Sequence, residues 1–538
     1  MTPEKTLQKA QQALQKGKPK EAVAVLEKAL VANPKNMELR LLLASIYNDL
    51  RQPALALTNL EPLQEEHGDN PAVHCQLGIA YKQSQNLPLA REHLRKAVEL
   101  TPNDANPWIH LCHVYLSEGR TELALQAVDK TLDLQPNQPQ HMLAKSSILE
   151  MLHRLDEAKT LAERVLKKNP KYALALSQLG KIQRRQGEIE EALASYKKAA
   201  EYHTDPYAKG DTLNAIGMIL DKQEDYNQAF KYFVKGQKMM RDSVQGKAYP
   251  KEQYLQVVEL YSDWMQKRNH NAPVTRTAND DLPTPIFMVG FPRSGTTLTE
   301  QMLISHPDIH TTQEKPVISV LIGNIPKFLG RKIHYPYDLD KLSAEDIHKL
   351  RQGYWQCYEM LVHEKPRSNV IDKLPLNVVA LGLIHTIFPE ANIIMSLRDP
   401  RDSVLSCFIQ AFQPNPGMAN FYTIDDAARF YRRIMNLYQQ YREHLPLKLH
   451  ELRYEDLISD PETRMKALVA FLGLSWSDKV LSYHDKHQLR YINTPSYEAV
   501  TKGVYKSAQG RWKHYATHME PVLSILQPFV KAFGYPVK

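Results

Sequence analysis

Residues 284–303 read TPIFMVGFPRSGTTLTEQML. Apolar, β-prone residues run to Gly290, five residues follow that suit neither strand nor helix, and helical apolar spacing returns after Thr296 and Thr297. This is the outline of a strand, a phosphate-binding loop and a helix. Gly290 to Thr297 fits the frame G-x-x-x-x-G-K-[ST], except that Thr296 stands where the lysine belongs. Backbone N–H groups and a helix N-terminus still form an anion cradle after that change. The grip on a γ-phosphate is lost, and Arg293 inside the loop becomes the local cation. A plain turn with an N-cap threonine is the competing reading, but two glycines, an arginine and three hydroxyls exceed what capping requires.

Downstream, Asn369–Asp372, Asn392–Leu397 and Leu447–Leu452 join Ile286–Gly290 as short apolar or β-branched runs separated by long helical patterns. Such alternation predicts an α/β domain with a parallel sheet, whose ligands bind at the carboxyl ends of the strands. The stretch SLRDPRDSVLSCF ends a strand at Arg398 and opens a helix near Asp402. Arg398 and Ser406, one turn into that helix, suit a second anion through a forked donor and a hydroxyl. A surface Arg-Asp network is the alternative.

Upstream, small residues recur at Ala10, Ala44, Gly78, Cys112, Ser146 and Gly180, each 34 after the last. A second series, Ala22, Ala56, Ala90, Ala124, Ala158 and Ala192, keeps step with it. Tyr47, Tyr81 and Tyr115, the prolines Pro34, Pro102, Pro136 and Pro170, and turn residues such as Gly119 and Gly187 stand between them. Period and residue types resemble the tetratricopeptide repeat. Six units fit, and a seventh follows a three-residue slip at Gly217, Ala229 and Phe233. The expectation is an all-α superhelix over residues 1–240 with a concave groove. These are packing residues and identify no ligand; arrays of this kind bind a protein or peptide, or self-associate, and a homodimer is compatible with that. Residues 241–283 begin helical and turn irregular, which places a linker there and the second domain at 284–538.

The composition is that of a multidomain chain with ample core. A net charge of +8 from 68 Lys and Arg against 60 Asp and Glu is spread over mixed-sign helices, which suits an anionic ligand better than nucleic acid. Cys75, Cys112, Cys357 and Cys407 lie far apart, with no zinc spacing, and read as free thiols of a reducing compartment. The polar start and the lack of any long apolar run predict no membrane span and a cytoplasmic chain.

PRSGTT behind an apolar strand resembles the 5′-phosphosulfate loop of sulfotransferases, in particular the protein-tyrosine branch, and further motifs extend the likeness over residues 284 to 515. Joined to the repeats, the chain is similar to tetratricopeptide-repeat sulfotransferases of bacteria. The resemblance implies 3′-phosphoadenosine 5′-phosphosulfate as donor, 3′,5′-adenosine diphosphate as product, and no metal. It makes Arg293 the cation beside the phosphosulfate, with Ser294, Gly295, Thr296 and Thr297 around the 5′ phosphate and Arg398 and Ser406 at the 3′ phosphate. In SHPDIHTTQEKPVI it puts the general base on Glu314, for which the bare sequence also offers His306 and His310. In VIDKLPLN it makes Lys373 the stabiliser of the transferring group. Tyr454 of LRYEDL falls near the nucleotide. With Trp512 set on the family tryptophan, Ser496 assists transfer, residues 496–505 line the donor and Arg511 stands where the family has a lysine. Gln410 departs from the family, which has a basic residue there.

The resemblance favours a tyrosine of a protein or peptide as the hydroxyl acceptor, recruited by the repeats; a glycan, lipid or small phenol stays open. A repeat scaffold with a non-catalytic nucleotide-binding domain is the rival from another class, and a kinase or NTPase ranks below both.

Overall fold

The computed structural model of the chain describes residues 2–84, 86–268, 280–362, 364–483 and 509–537. By its internal contacts the chain divides into two compact units, Met1–Ala199 and Ala200–Lys538.

The first unit is a stack of helical hairpins. Pro3–Gln15 with Pro19–Ala32, Met37–Asp49 with Pro53–Glu66, Pro71–Gln83 with Leu87–Leu100, Ala105–Ser117 with Thr121–Leu134, Pro139–Met151 with Leu155–Lys168, and Ala173–Gln186 with Ile189–Tyr202 are α1 to α12 in order. The 34-residue series explains the packing. Ala10, Ala44, Cys112 and Ser146, and every alanine of the second series, are fully buried, because these are the points where paired helices touch. At Gly78 a Cβ would lie 2.5 Å from Leu94 Cγ, so only glycine admits the approach of α5 to α6. In the fifth hairpin Ser146 Oγ donates across the pair to the Ala158 carbonyl at 2.7 Å. Several first helices of the hairpins start on an Asn or Asp cap, as Asn36, Asn70 and Asp104 do.

The hairpin α13 (Pro206–Lys222) and α14 (Tyr226–Asp242) carries the seventh repeat's sequence pattern, yet its contacts put it in the second unit. After α15 (Val244–Lys247) and α16 (Glu252–Lys267), the chain enters β1 (Ile286–Gly290), α17 (Thr296–Ile304), β2 (His310–Thr311), α18 (Val317–Leu329), α19 (Ala344–Val362), β3 (Val370–Lys373), α20 (Leu381–Ile387) and β4 (Asn392–Leu397). It continues through α21 (Pro400–Phe408), α22 (Ile424–His444), β5 (Lys448–Arg453), α23 (Tyr454–Ser459), α24 (Pro461–Phe471) and α25 (Ala516–Ala532). The strands form one parallel sheet in the order β2-β3-β1-β4-β5.

Both faces of this sheet are covered, as a parallel sheet requires. Phe287 and Val289 face one core with α16, α18, α19, α20, α22 and α25, while Ile286 and Met288 face the other with α17, α23 and α24. The order reverses at β1: the chain builds β2 and β3 on one side of it, then β4 and β5 on the other. The crevice at such a switch point is where open α/β sheets bind ligands. Four strands coincide with the apolar runs of the sequence. The two-residue β2 has no run to read, and exists because it pairs with Val370 and Ile371 of β3.

Candidate functional site

The loop after β1 turns on two left-handed residues, Arg293 at φ +68° and Gly295 at φ +95°. For an arginine that conformation costs about 1–3 kcal/mol and persists where surrounding structure imposes it. The turn places Gly295 at the N-cap of α17 with no side-chain cap, and Thr296 and Thr297 lie inside the helix, so neither threonine caps it. The first-turn N–H groups therefore face the loop without a side-chain acceptor. Ser294 Oγ is buried and has no hydrogen-bond partner among the described residues. A buried hydroxyl of this kind calls for one. A phosphate group held in the curl of the loop would supply it, so these residues fit a phosphate such as the one the family resemblance implies.

Tyr454 closes the loop from above: a Cβ on Gly295 would lie 2.6 Å from Tyr454 Cδ2. Gly295→Ala is expected to lower stability by about 1–3 kcal/mol through the positive φ and this clash; thermal unfolding with an unchanged midpoint would contradict the account.

Arginines gather on the β4 side. Arg293 Nε donates to Ser406 Oγ at 3.1 Å, Arg398 Nη1 donates to the Arg293 carbonyl at 3.0 Å, and the Arg398 guanidinium lies 5.1 Å from the Tyr454 ring centroid. Burial brings the Arg293 pKa down to about 10, and the charges of Arg398 and Arg511 act in the same direction. Arg293 is still a cation at neutral pH, so the cluster favours an anion among its members.

On the β3 side stands a buried lysine between two carboxylates. Lys373 Nζ is 2.9 Å from Glu300 Oε2 and 2.5 Å from Glu314 Oε1. Its side chain is 1% exposed, that of Glu300 is 4% and that of Glu314 is 34%, so only Glu314 reaches solvent. Burial by itself would lower the lysine's pKa, but the two carboxylates outweigh it and hold the group above its ordinary value. Thr311 Oγ1 donates to Glu300 Oε1 at 2.5 Å. Gln313 and Glu314 are both left-handed, at φ +51° and +63°, and this local strain turns Glu314 back towards the lysine.

Glu300 escaped the sequence reading. In the structure α17 is buried from Thr296 to Leu303, leaving no solvent face on which a charge in mid-helix could sit. His306 is placed otherwise: Asp308 N–H donates to its Nδ1 at 3.2 Å, so the proton is on Nε2, which donates to the Ser475 carbonyl at 2.8 Å. Both nitrogens are thereby used in a turn. His310 lies on β2, at the edge of the sheet.

Asp372 precedes Lys373 and so points to the opposite face, where Tyr354 OH and Asn377 Nδ2 donate to its two oxygens at 3.0 and 3.2 Å. Burial raises its pKa from 3.8 to about 7, against the pull of the Tyr354 hydrogen bond. An acid raised on folding binds protons more tightly when folded, so this group's contribution to stability falls from 3.8 to about 7 and is level above. Asp372→Asn should remove that slope, about 1.4 kcal/mol per pH unit in the window, measurable by denaturant unfolding across pH. A parallel pair of pH curves would contradict it.

Of the C-terminal candidates, Ser496 and the segment 496–505 lie outside the described residues. Arg511 is described. Asp402 of α21 accepts the Gly510 N–H at 2.6 Å and the Trp512 N–H at 2.8 Å, pinning the turn that carries it. The Arg401 guanidinium sits 4.0 Å from the Trp512 ring centroid. The Gln410 carbonyl accepts from Gln237 Nε2 at 3.0 Å, and its own Nε2 donates to the Ala411 carbonyl at 3.4 Å.

Residues 285–478 match the Sulfotransferase family. Residues 13–77 and 210–241 match the tetratricopeptide repeat, and 82–205 match the repeat domain of cytochrome c-type biogenesis protein H. A protein of Aquifex aeolicus (strain VF5) described as uncharacterized is 26% identical over 90% of this chain and 74% of its own length. Protein-tyrosine sulfotransferase 1 of Danio rerio is 31% identical over 38% of this chain and 58% of its own length. The protein-tyrosine sulfotransferase of Drosophila melanogaster is 27% identical over 44% of this chain and 48% of its length. The chain thus spans about half the length of these two relatives. Among solved structures, a tetratricopeptide repeat protein from Parabacteroides merdae covers 44% of this chain and 92% of its own at 17% identity and a TM-score of 0.38. Among the described residues no helix is long and apolar enough to cross a membrane.

Proposed function

From a chain that carries a C-terminal domain of the sulfotransferase family behind tetratricopeptide repeats, we propose an enzyme that moves a sulfuryl group from 3′-phosphoadenosine 5′-phosphosulfate to the hydroxyl of a tyrosine in a protein or peptide. One observation carries this reading: an arginine-bearing phosphate loop and a buried lysine shared by two carboxylates stand on either side of the same strand end.

The donor supplies an activated sulfuryl group whose leaving oxygen belongs to a phosphate. In the proposal the N–H groups of Ser294 to Thr297 hold that phosphate and Arg293 neutralises the charge that builds on the leaving oxygen. Arg398 and Ser406 hold the second phosphate, and Tyr454, packed on Gly295, walls the nucleotide. Lys373 balances the charge of the transferring group. Glu314 takes the acceptor's proton; a tyrosine, with a pKa of about 10, needs that help at neutral pH. Its partial exposure leaves it able to turn from Lys373 towards an acceptor, while Glu300 keeps the lysine in place. Ser496 and Arg511 complete the donor contacts that the family motif implies. The repeats recruit the acceptor protein.

The first test is calorimetric titration with 3′,5′-adenosine diphosphate against ATP with magnesium. Binding of the bisphosphate in preference is expected, and preference for ATP overturns the donor assignment. Transfer of labelled sulfate to a tyrosine peptide and not to its phenylalanine counterpart is then expected; labelling of a glycan or lipid alone overturns the acceptor and keeps the reaction class.

A further inference from the structure

Arg511 is held in place by a residue of the last repeat hairpin. Asp221, next to the end of α13, receives Arg511 Nε on Oδ1 at 3.2 Å and lies 2.6 Å from Arg511 Nη2 through Oδ2. The Tyr515 hydroxyl donates to the same Oδ1 at 2.5 Å. The contact occupies the Nε/Nη2 edge of the guanidinium and leaves Nη1 for another acceptor.

The backbone of Arg511 is fixed separately, by Asp402 through the N–H groups on either side of it. Asp402 and Ser406 are four residues apart on α21 and share a face. One helical face thus bears both the turn of Arg511 and the hydroxyl that receives Arg293.

The hairpin has other anchors. Tyr226 stacks on His514 and Phe230 on His518, with ring centroids 4.5 and 4.1 Å apart. Gln237 donates to the Phe408 and Gln410 carbonyls, and Tyr207 OH to the Phe412 carbonyl at 2.8 Å. Loss of the Asp221 carboxylate therefore leaves the hairpin docked.

We propose that Asp221 is a positioning residue for Arg511, so that the last repeat hairpin forms part of the donor-binding site. The proposal rests on the reading that this domain binds the bisphosphate nucleotide. The charge of Arg511 acts on Arg293, so a long arginine at this place is repelled and turns towards solvent without a counter-ion. Asp221 supplies the counter-ion and, through two contacts, the orientation.

Two physical accounts differ in sign. If Asp221 were only one more negative charge near an anion site, its removal would tighten nucleotide binding. If it positions Arg511, its removal weakens binding. Calorimetric titration of the full chain with 3′,5′-adenosine diphosphate decides. Asp221→Asn is expected to raise Kd about tenfold, in keeping with the sensitivity of such contacts to small displacements. Arg511→Gln should weaken binding at least as much, and the double variant no more than Arg511→Gln alone. Tyr515→Phe, which removes the third partner and keeps the ion pair, should bind as the parent does. Parental or tighter binding by Asp221→Asn overturns the proposal, as does an equal loss on the Arg511→Gln background. Should Asp221→Asn unfold, Arg511→Lys, which keeps the charge but loses the two-point contact, carries the test: weaker binding supports the proposal and parental binding overturns it. Failure of the parent itself to bind the bisphosphate overturns the donor reading, and this inference with it.

Discussion

Glu314→Gln is expected to lower the rate of sulfuryl transfer by about 10²–10⁴-fold, the usual range for a general base. Glutamine keeps the shape of the side chain and an oxygen to receive Lys373 Nζ, but takes no proton from an acceptor. The Kd for 3′,5′-adenosine diphosphate should therefore match the parent's. Single-turnover transfer and calorimetry on the same preparation separate the two effects. A rate within a few-fold of the parent's would remove Glu314 from the mechanism. Weakened nucleotide binding would place it in donor recognition instead.

Lys373→Met acts on stability as well as transfer. The parent's Lys373 has its pKa raised by Glu300 and Glu314, so its stabilising contribution is present through the neutral range and is lost only as pH climbs past that of a free lysine. In the variant, Glu300 remains buried without its cation. Removing one partner of a buried pair costs about 3–5 kcal/mol. Thermal unfolding should fall accordingly, and transfer should vanish. Adding Glu300→Gln to Lys373→Met should recover much of the lost stability without restoring transfer. An unchanged unfolding midpoint for the single variant would mean that the lysine and the glutamates are not coupled.

The array was legible because packing repeats: each hairpin needs a small residue at the same two points, and a period of 34 exposes them. The loop was legible because its residues are contiguous. Gly295 and Arg293 stand in a row with the strand and helix they join. Glu300 was illegible because its meaning depends on which face of α17 meets β3, and that helix has no exposed face to give a period. The β2 strand was illegible because two residues carry no alternation, and only pairing with β3 makes them a strand.

Local chemistry alone determined the repeat hairpins, the four longer strands and the anion-binding loop, since each depends on the neighbours of a residue along the chain. Tertiary structure decided the rest. It set the charge balance of Lys373, whose partners lie 73 and 59 residues away, one on α17 and one in the turn after β2, with burial making their charges count. It also joined Arg511 to Asp221 across 290 residues and put the seventh hairpin with the second unit. Contacts across such separations leave no period or motif in a single sequence, because either partner alone reads as an ordinary charged residue of a solvated helix or turn.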